Sequence, residues 1–270
     1  MKSFYGLKLK KKLGQHFILN IEILSKLVEY AEINSKDIVL EVGAGLGNLT
    51  ALIAEKAGKV IAVEKDLRFT KVLKERFRKN SNVEIVEGDI LKIGLNLPYF
   101  NKIIGNIPYY ISSKFILLML KLKFNLAVLT LQKEFAERLI AQPGTKEYGR
   151  ITIAVNRKMH VEILETLPKT MFIPKPKVDS SIVRFKPKNV KTQVNEEFFE
   201  EFVKNLFTQK RKKLSKVLLK FLTNYGEEGK KIFYALHIPE KRVYELSIEE
   251  LEALSNQITS KLNITVLKRV

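Results

Sequence analysis

Short apolar runs separated by helix-length segments recur through the first half of the chain, and this alternation limits the possible folds more than any other feature. Ile38-Val39-Leu40-Glu41-Val42 reads as a buried strand, as do residues 59–63, 83–86, 102–106 and 125–131. Helical periodicity fills the gaps: Leu49, Leu52 and Ile53 follow the first run, residues 66–78 the second, and residues 112–121 the fourth. Asn20 is placed as the N-cap of an earlier helix running to about residue 33, with Ile23, Leu24, Leu27 and Val28 on one face. Strands alternating with helices at this spacing imply an α/β fold with a doubly wound, mostly parallel sheet. Residues 161–164 and 181–185 also read as strands and add an antiparallel edge, making a seven-stranded sheet.

Beyond that sheet, Pro187-Lys188-Asn189-Val190-Lys191 reads as a linker. Residues 196–222, 227–236 and 248–262 read as helices. The expected organisation is a basic arm over residues 1–19, a sheet-bearing domain over 20–187, and a small helical domain over 188–270.

The strand ends carry the chemistry. Glu41-Val42-Gly43-Ala44-Gly45-Leu46-Gly47 lies between the first strand and the next helix, where glycines such as Gly43 and Gly45 let the backbone approach a ligand. The dinucleotide fingerprint would place a third glycine where this chain has Asn48, which argues against a pyrophosphate cradle. Glu64 ends the second strand and can accept both hydroxyls of a ribose. After the third strand, Asp89 can accept from an adenine amine while Ile90 packs on the ring. Each residue also has a plain structural reading: a tight turn, a Glu paired with Lys65, an N-cap. Together the three strand ends describe an adenosine pocket.

The fourth strand ends in Asn106-Ile107-Pro108-Tyr109. The side-chain oxygen of Asn106 and the Ile107 carbonyl, held before the rigid Pro108, can both accept from an exocyclic amine. Tyr109 offers a face on which a heterocycle can stack. A hydride-transfer enzyme has no use for such a clamp beside its cofactor, whereas a methyl transferase does.

The formal net charge of +19 points to a polyanionic partner, with nucleic acid favoured over an anionic membrane or a lysine-rich thermophile-like surface. The excess is clustered. Lys2, Lys8, Lys10, Lys11 and Lys12 occupy the arm without an acid among them, and Lys204, Lys210, Arg211, Lys212, Lys213, Lys216 and Lys220 form a second block. RNA binding is therefore expected on the arm, at Lys10, Lys11 and Lys12, and on a helix carrying Lys210, Arg211, Lys212 and Lys213. Cysteine is absent and only His16, His160 and His237 are present, so no disulfide, thiol nucleophile or metal centre is expected. No apolar run is long enough to span a membrane, and the start lacks the apolar region of a secretory signal, so a cytoplasmic protein is expected.

An ordered set of segments carries a family resemblance: Gly14-Gln15-His16-Phe17-Ile18, Glu41 to Gly47, Glu64, Gly88-Asp89-Ile90, Asn106 to Tyr109, Phe172-Ile173-Pro174-Lys175-Pro176-Lys177-Val178-Asp179-Ser180, and Phe207 to Leu214. The chain resembles the small-subunit ribosomal RNA adenine dimethyltransferases, the KsgA family, over nearly its whole length. The resemblance implies a class I, Rossmann-like methyltransferase domain that uses S-adenosyl-L-methionine, held by His16, Ile18, Gly43, Glu64, Asp89 and Asn106. It implies that Phe172 faces the target base and that the substrate is 16S rRNA within the 30S subunit. It further implies dimethylation of the N6 amines of two adjacent adenosines near the rRNA 3′ end, by a monomer. The family usually has Leu at the positions of Ile18 and Ile107, and both replacements keep bulk and apolarity. The rivals are a large-subunit rRNA adenine methylase, which shares the clamp, a non-enzymatic nucleic-acid binder on the same fold, and a dehydrogenase.

Overall fold

The computed structural model describes the backbone at residues 3–4 and 7–8, together with residues 14–189 and 194–262. Lys10, Lys11 and Lys12 lie outside the described residues. The chain forms two compact units, one of residues 1–137 and 158–188, the other of residues 138–157 and 189–270.

The first unit is built on a seven-stranded sheet. Its strands are β1 (Ile38–Val42), β2 (Lys59–Glu64), β3 (Val83–Glu87), β4 (Lys102–Asn106), β5 (Leu126–Gln132), β6 (Met159–Leu167) and β7 (Ser180–Pro187). Their order across the sheet is β3-β2-β1-β4-β5-β7-β6, with β7 antiparallel to both neighbours and the other pairings parallel. Continuous burial of Val39 to Val42 and Leu126 to Leu131 follows from a sheet covered on both faces. The order reverses between β1 and β4, which opens a crevice beyond the carboxyl ends of those strands.

Helices α1 (Ile21–Tyr30), α2 (Asn48–Lys56), α3 (Leu67–Arg76), α4 (Ile90–Ile93) and α5 (Ser112–Met119) follow in chain order, with α6 (Lys133–Leu139) leading out of β5. Asn20 caps α1 as its sequence suggests, with its side-chain oxygen accepting from Glu22 N at 2.8 Å and Ile23 N at 3.3 Å. Asp66 caps α3 in the same way. A short ribbon not foreseen from the sequence pairs Phe17–Ile18 with Phe172–Ile173 in antiparallel register. It brings the arm beside the proline-rich segment preceding β7.

In the second unit, α7 (Arg150–Lys158) is followed by α8 (Glu196–Phe207), α9 (Leu214–Thr223), α10 (Gly226–Ala235) and α11 (Ile248–Lys261), around a core that includes Phe198, Phe202, Leu206, Leu218 and Phe221. Two expectations are corrected here. Residues 138–157 group with the helices rather than with the sheet, because Tyr148 and Ile153 belong to the helical core. The helix expected over residues 196–222 is broken, so Lys210, Arg211, Lys212 and Lys213 lie in the intervening turn. The backbone there is used in tertiary bonds that a continuous helix would forbid: Tyr244 N donates to Lys210 O at 3.0 Å, Val243 N to Lys212 O at 3.1 Å, and Leu214 N to Lys241 O at 2.8 Å.

Candidate active site

A pocket opens at the carboxyl ends of β1 to β4. Val42 and Gly43 come from the end of β1, and Val63, Glu64 and Lys65 from β2. Gly88, Asp89 and Ile90 follow β3, while Pro108, Tyr110 and Ile111 follow β4; Gln15 of the arm completes the lining. The strands are parallel and adjacent, so residues far apart in sequence converge wherever those strands terminate.

The glycine-rich turn is compressed from two sides. Gly45 has φ +58°, and a Cβ there would come within 2.7 Å of the Phe17 ring. Gly47 has φ +80°, and a Cβ would meet Phe77 at 2.6 Å and Leu73 at 2.8 Å. Arg76 of α3 also holds this turn, donating to Leu46 O at 2.6 Å and Asn48 Oδ1 at 2.9 Å.

Glu64 is buried and accepts three backbone N–H groups: Gly45 N at 2.9 Å on Oε2, and Lys65 N at 2.9 Å and Asp66 N at 2.8 Å on Oε1. Burial pushes its carboxyl pKa upward against the opposing pull of those amides. With its other acceptor positions filled, Oε2 keeps one for a ligand hydroxyl, where the sequence suggested capacity for two. Asp89 serves as the cap of α4, accepting from Leu91 N at 3.0 Å, and is paired with Lys65 Nζ at 2.8 Å. Burial works against its charge, but the Lys65 ammonium and the Leu91 amide outweigh it and hold the carboxyl below the usual range. The carboxylate retains acceptor capacity, and the exposed Lys65 stem can swing aside. Ile90 is buried at the pocket wall.

The clamp at the end of β4 is held from the arm. Asn106 Nδ2 donates to His16 O at 2.5 Å, leaving Oδ1 with no donor among the described residues. The Ile107 side chain is buried, and its carbonyl likewise meets no donor among the described residues. Pro108 begins the turn and accepts Ile111 N at 3.0 Å. The Tyr109 hydroxyl is paired with Ser180 Oγ at 2.7 Å, and one face of its ring is covered by His16, with centroids 5.4 Å apart and planes 26° from parallel. His16 Nδ1 must carry a hydrogen, because its partner at 2.6 Å is the Pro174 carbonyl.

Several expected positions depart from the sequence reading. Gly45, Asn106, Ile107 and Tyr109 are not among the residues lining the pocket, and neither are His16 and Ile18: His16 braces Asn106, Tyr109 and Pro174, and Ile18 is buried opposite Phe172 in the ribbon. Phe172 is only 2% exposed and joins the core with Leu167, so it presents no open face to a base. Lys210 is not a free surface cation: its Nζ donates to Lys146 O and Tyr148 O, both at 2.7 Å. Arg211, Lys212 and Lys213 are exposed. Gln15, Lys65 and Tyr110 line the pocket without having been singled out, although each adjoins a residue that was: His16, Glu64 and Tyr109.

A sheet of this strand order, with a glycine turn after the first strand, carboxylates after the second and third, and an amide after the fourth, is that of a class I methyltransferase using an S-adenosylmethionine-type methyl donor. The chain matches the family model described as ribosomal RNA adenine dimethylase over residues 6–261, and it belongs to that family. A relative from Thermococcus sibiricus named "Probable ribosomal RNA small subunit methyltransferase A" is 42% identical, over 93% of this chain and 92% of its own. Among solved structures, a dimethyladenosine transferase from Plasmodium falciparum is 32% identical over 91% of this chain and 98% of that one, with a TM-score of 0.81. The 23S rRNA methyltransferase ErmE is 26% identical over 89% of this chain and 98% of that one, with a TM-score of 0.66.

Proposed function

We propose that this enzyme dimethylates the N6 amines of two adjacent adenosines near the 3′ end of 16S rRNA, within the 30S subunit, during ribosome biogenesis. The observation that carries the reading is the engaged nitrogen of Asn106, which leaves Oδ1 and the Ile107 carbonyl as a pair of acceptors at the end of β4. S-adenosylmethionine supplies the electrophilic methyl group. Glu64 would hold one ribose hydroxyl, Asp89 the adenine amine after Lys65 moves aside, and Ile90 the ring face, with Gly43 and Gly45 keeping the backbone close. Among the donor contacts implied by family resemblance, His16 and Ile18 act by fixing the clamp and the ribbon.

The target amine is a weak nucleophile because its lone pair is delocalised into the purine. Two oxygen acceptors draw its hydrogens out of the ring plane and concentrate the lone pair toward the methyl group. As the carbon–nitrogen bond forms, the carbon–sulfur bond breaks with its electron pair going to sulfur, positive charge grows on nitrogen beside dipoles already in place, and one N–H proton then passes to water; close positioning removes much of the remaining barrier. The adenine must leave its stack to reach these groups. It would pack against the face of Tyr109 opposite His16.

Arg211, Lys212 and Lys213, and Lys10, Lys11 and Lys12 of the arm, would contact RNA phosphates, the helical unit thereby serving RNA binding. We place the enzyme in the cytoplasm, as a monomer. Among the described residues no helix is long and apolar enough to cross a membrane. A large-subunit specificity is the second reading, motivated by the likeness to ErmE; the higher identity and TM-score of the dimethyladenosine transferase favour the first. Incubation with labelled methyl donor and 30S particles, bare 16S rRNA or 50S particles, followed by mapping of the modified bases, tests it. Label confined to 23S rRNA, or no transfer at all, would reject the reading.

A further inference from the structure

Ser180 is the first residue of β7, which is separated from β4 in the sheet by β5 alone. Its place is pinned from both sides. It pairs with Gln132 of β5 and with Leu167 of β6, and just before it Lys133 N donates to Asp179 O at 3.0 Å. The side chain is fully buried, and a buried hydroxyl is costly unless it is paired. Its partner is the Tyr109 hydroxyl at 2.7 Å, across 71 positions of sequence. Burial in this strand does not by itself create such a bond. Ser181 is equally buried, and its Oγ has no partner among the described residues.

Tyr109 stands in a short turn after β4, not in the strand itself. Its side chain has two torsions, and the second has a broad well, so a free ring would swing. Two contacts prevent this. The His16 ring covers one face at 5.4 Å between centroids, and Ser180 ties down the outer end of the ring. Burial pushes the phenol pKa upward, so the hydroxyl keeps its proton at neutral pH. We propose that Ser180 is a positioning residue for methyl transfer: through the Tyr109 hydroxyl it fixes the ring plane on which the extracted adenine stacks, so that the amine arrives between Asn106 Oδ1 and the Ile107 carbonyl. Ser180 itself touches neither RNA nor methyl donor. The inference rests on the adenine-methylating reading of the site. An anchor on a strand holds geometry more tightly than one on a loop. A displacement of about 1 Å at a reacting centre costs up to about a hundredfold in rate.

The test measures single-turnover methyl transfer to saturating unmodified 30S particles, together with particle KM, donor affinity and Tm. Ser180→Ala is expected to slow transfer about tenfold. Its particle KM should stay within about twofold and its donor affinity should not change, the split of an interaction felt in the transition state. Tyr109→Phe removes the same bond from the other side and should show the same loss. The double variant should be no slower than either single variant, because all three lack one bond. Ser180→Thr keeps a hydroxyl and should recover most of the rate. A wild-type rate in Ser180→Ala overturns the proposal, whatever its Tm, and so does a wild-type rate in Tyr109→Phe, which serves alone if the alanine variant does not fold. Losses that multiply in the double variant also overturn it, since the Tyr109 hydroxyl would then act without Ser180. Absence of transfer by the wild-type enzyme would instead strike the functional reading, so the two failures are distinguishable.

Discussion

The side-chain nitrogen of Asn106 donates to the backbone carbonyl of His16 at 2.5 Å, across 90 positions of sequence. That bond sets which way the amide faces. An aspartate at this position would turn an oxygen toward the His16 carbonyl with no hydrogen between them. Asn106→Asp is therefore expected to lose the arm contact and the clamp together. Asn106→Ala removes only the side chain, costing ~3 kcal/mol of transition-state stabilisation by analogy with other preorganised polar groups. Single-turnover methyl transfer should fall by about two orders of magnitude in the alanine variant and further in the aspartate variant. A wild-type rate in either would remove Asn106 from the chemistry.

The Arg76 guanidinium ties Leu46 O and Asn48 Oδ1, and Gly47 provides no side-chain cap for α2. Arg76 is thus a positioning residue for the glycine turn. Arg76→Gln should raise the donor KM roughly tenfold, the scale of one lost charge-assisted bond, with kcat little changed. Arg76→Lys should recover part of that loss. Equal donor affinity in the glutamine variant would show that the turn holds itself.

Glu41 is fully enclosed, and its Oε2 has no hydrogen-bond partner among the described residues. Burial pushes its pKa up to about 8, with the Glu64 carboxylate adding to the effect. The folded state therefore keeps a proton that the unfolded chain releases above its ordinary pKa of 4.5. The contribution of Glu41 to stability is fully present below pH 4.5 and declines as pH rises to 8, by up to ~5 kcal/mol. Glu41→Gln should flatten this decline and raise Tm most at the alkaline end. Parallel Tm profiles for both proteins would reject the assignment.

Lys210 and its three basic neighbours should separate in a salt titration. Burial and the neighbouring Arg211 lower the Lys210 pKa, and its ammonium is committed to two carbonyls of residues 146 and 148. Lys210→Met is expected to lower Tm by ~2–4 °C and to leave the salt slope of RNA binding unchanged. Combined replacement of Arg211, Lys212 and Lys213 by alanine should flatten the slope by about 0.7 per contact. A slope that responds to Lys210 as strongly as to the others would make it a phosphate contact after all.

The alternation of strands and helices, the glycine turn, and the positions of Glu64, Asp89 and Asn106 at or just after strand ends were legible because each rests on local pattern. Buried strands read as apolar runs, and parallel strands must end at the same edge of the sheet. The orientation of Phe172 was not legible. An aromatic before two prolines reads equally well as an exposed base platform or a core residue, and the antiparallel pairing with Ile18 decided for the core. The break between α8 and α9 was hidden for the same reason. Phe207 and Leu214 stand seven residues apart, in phase for one helix, with no Gly or Pro between them, and the bonds from residues 241–244 to the intervening backbone interrupt the helix.

The amino-acid order by itself determined the alternating architecture, the chemical types at four strand ends, and the positive charge that suits an RNA substrate. Tertiary contact alone decided how many acceptor positions Glu64 keeps, which end of the Asn106 amide is free, and which lysines remain available to phosphate. Such properties depend on partners supplied from distant segments, and hydrogen-bond saturation cannot be read from spacing along a chain.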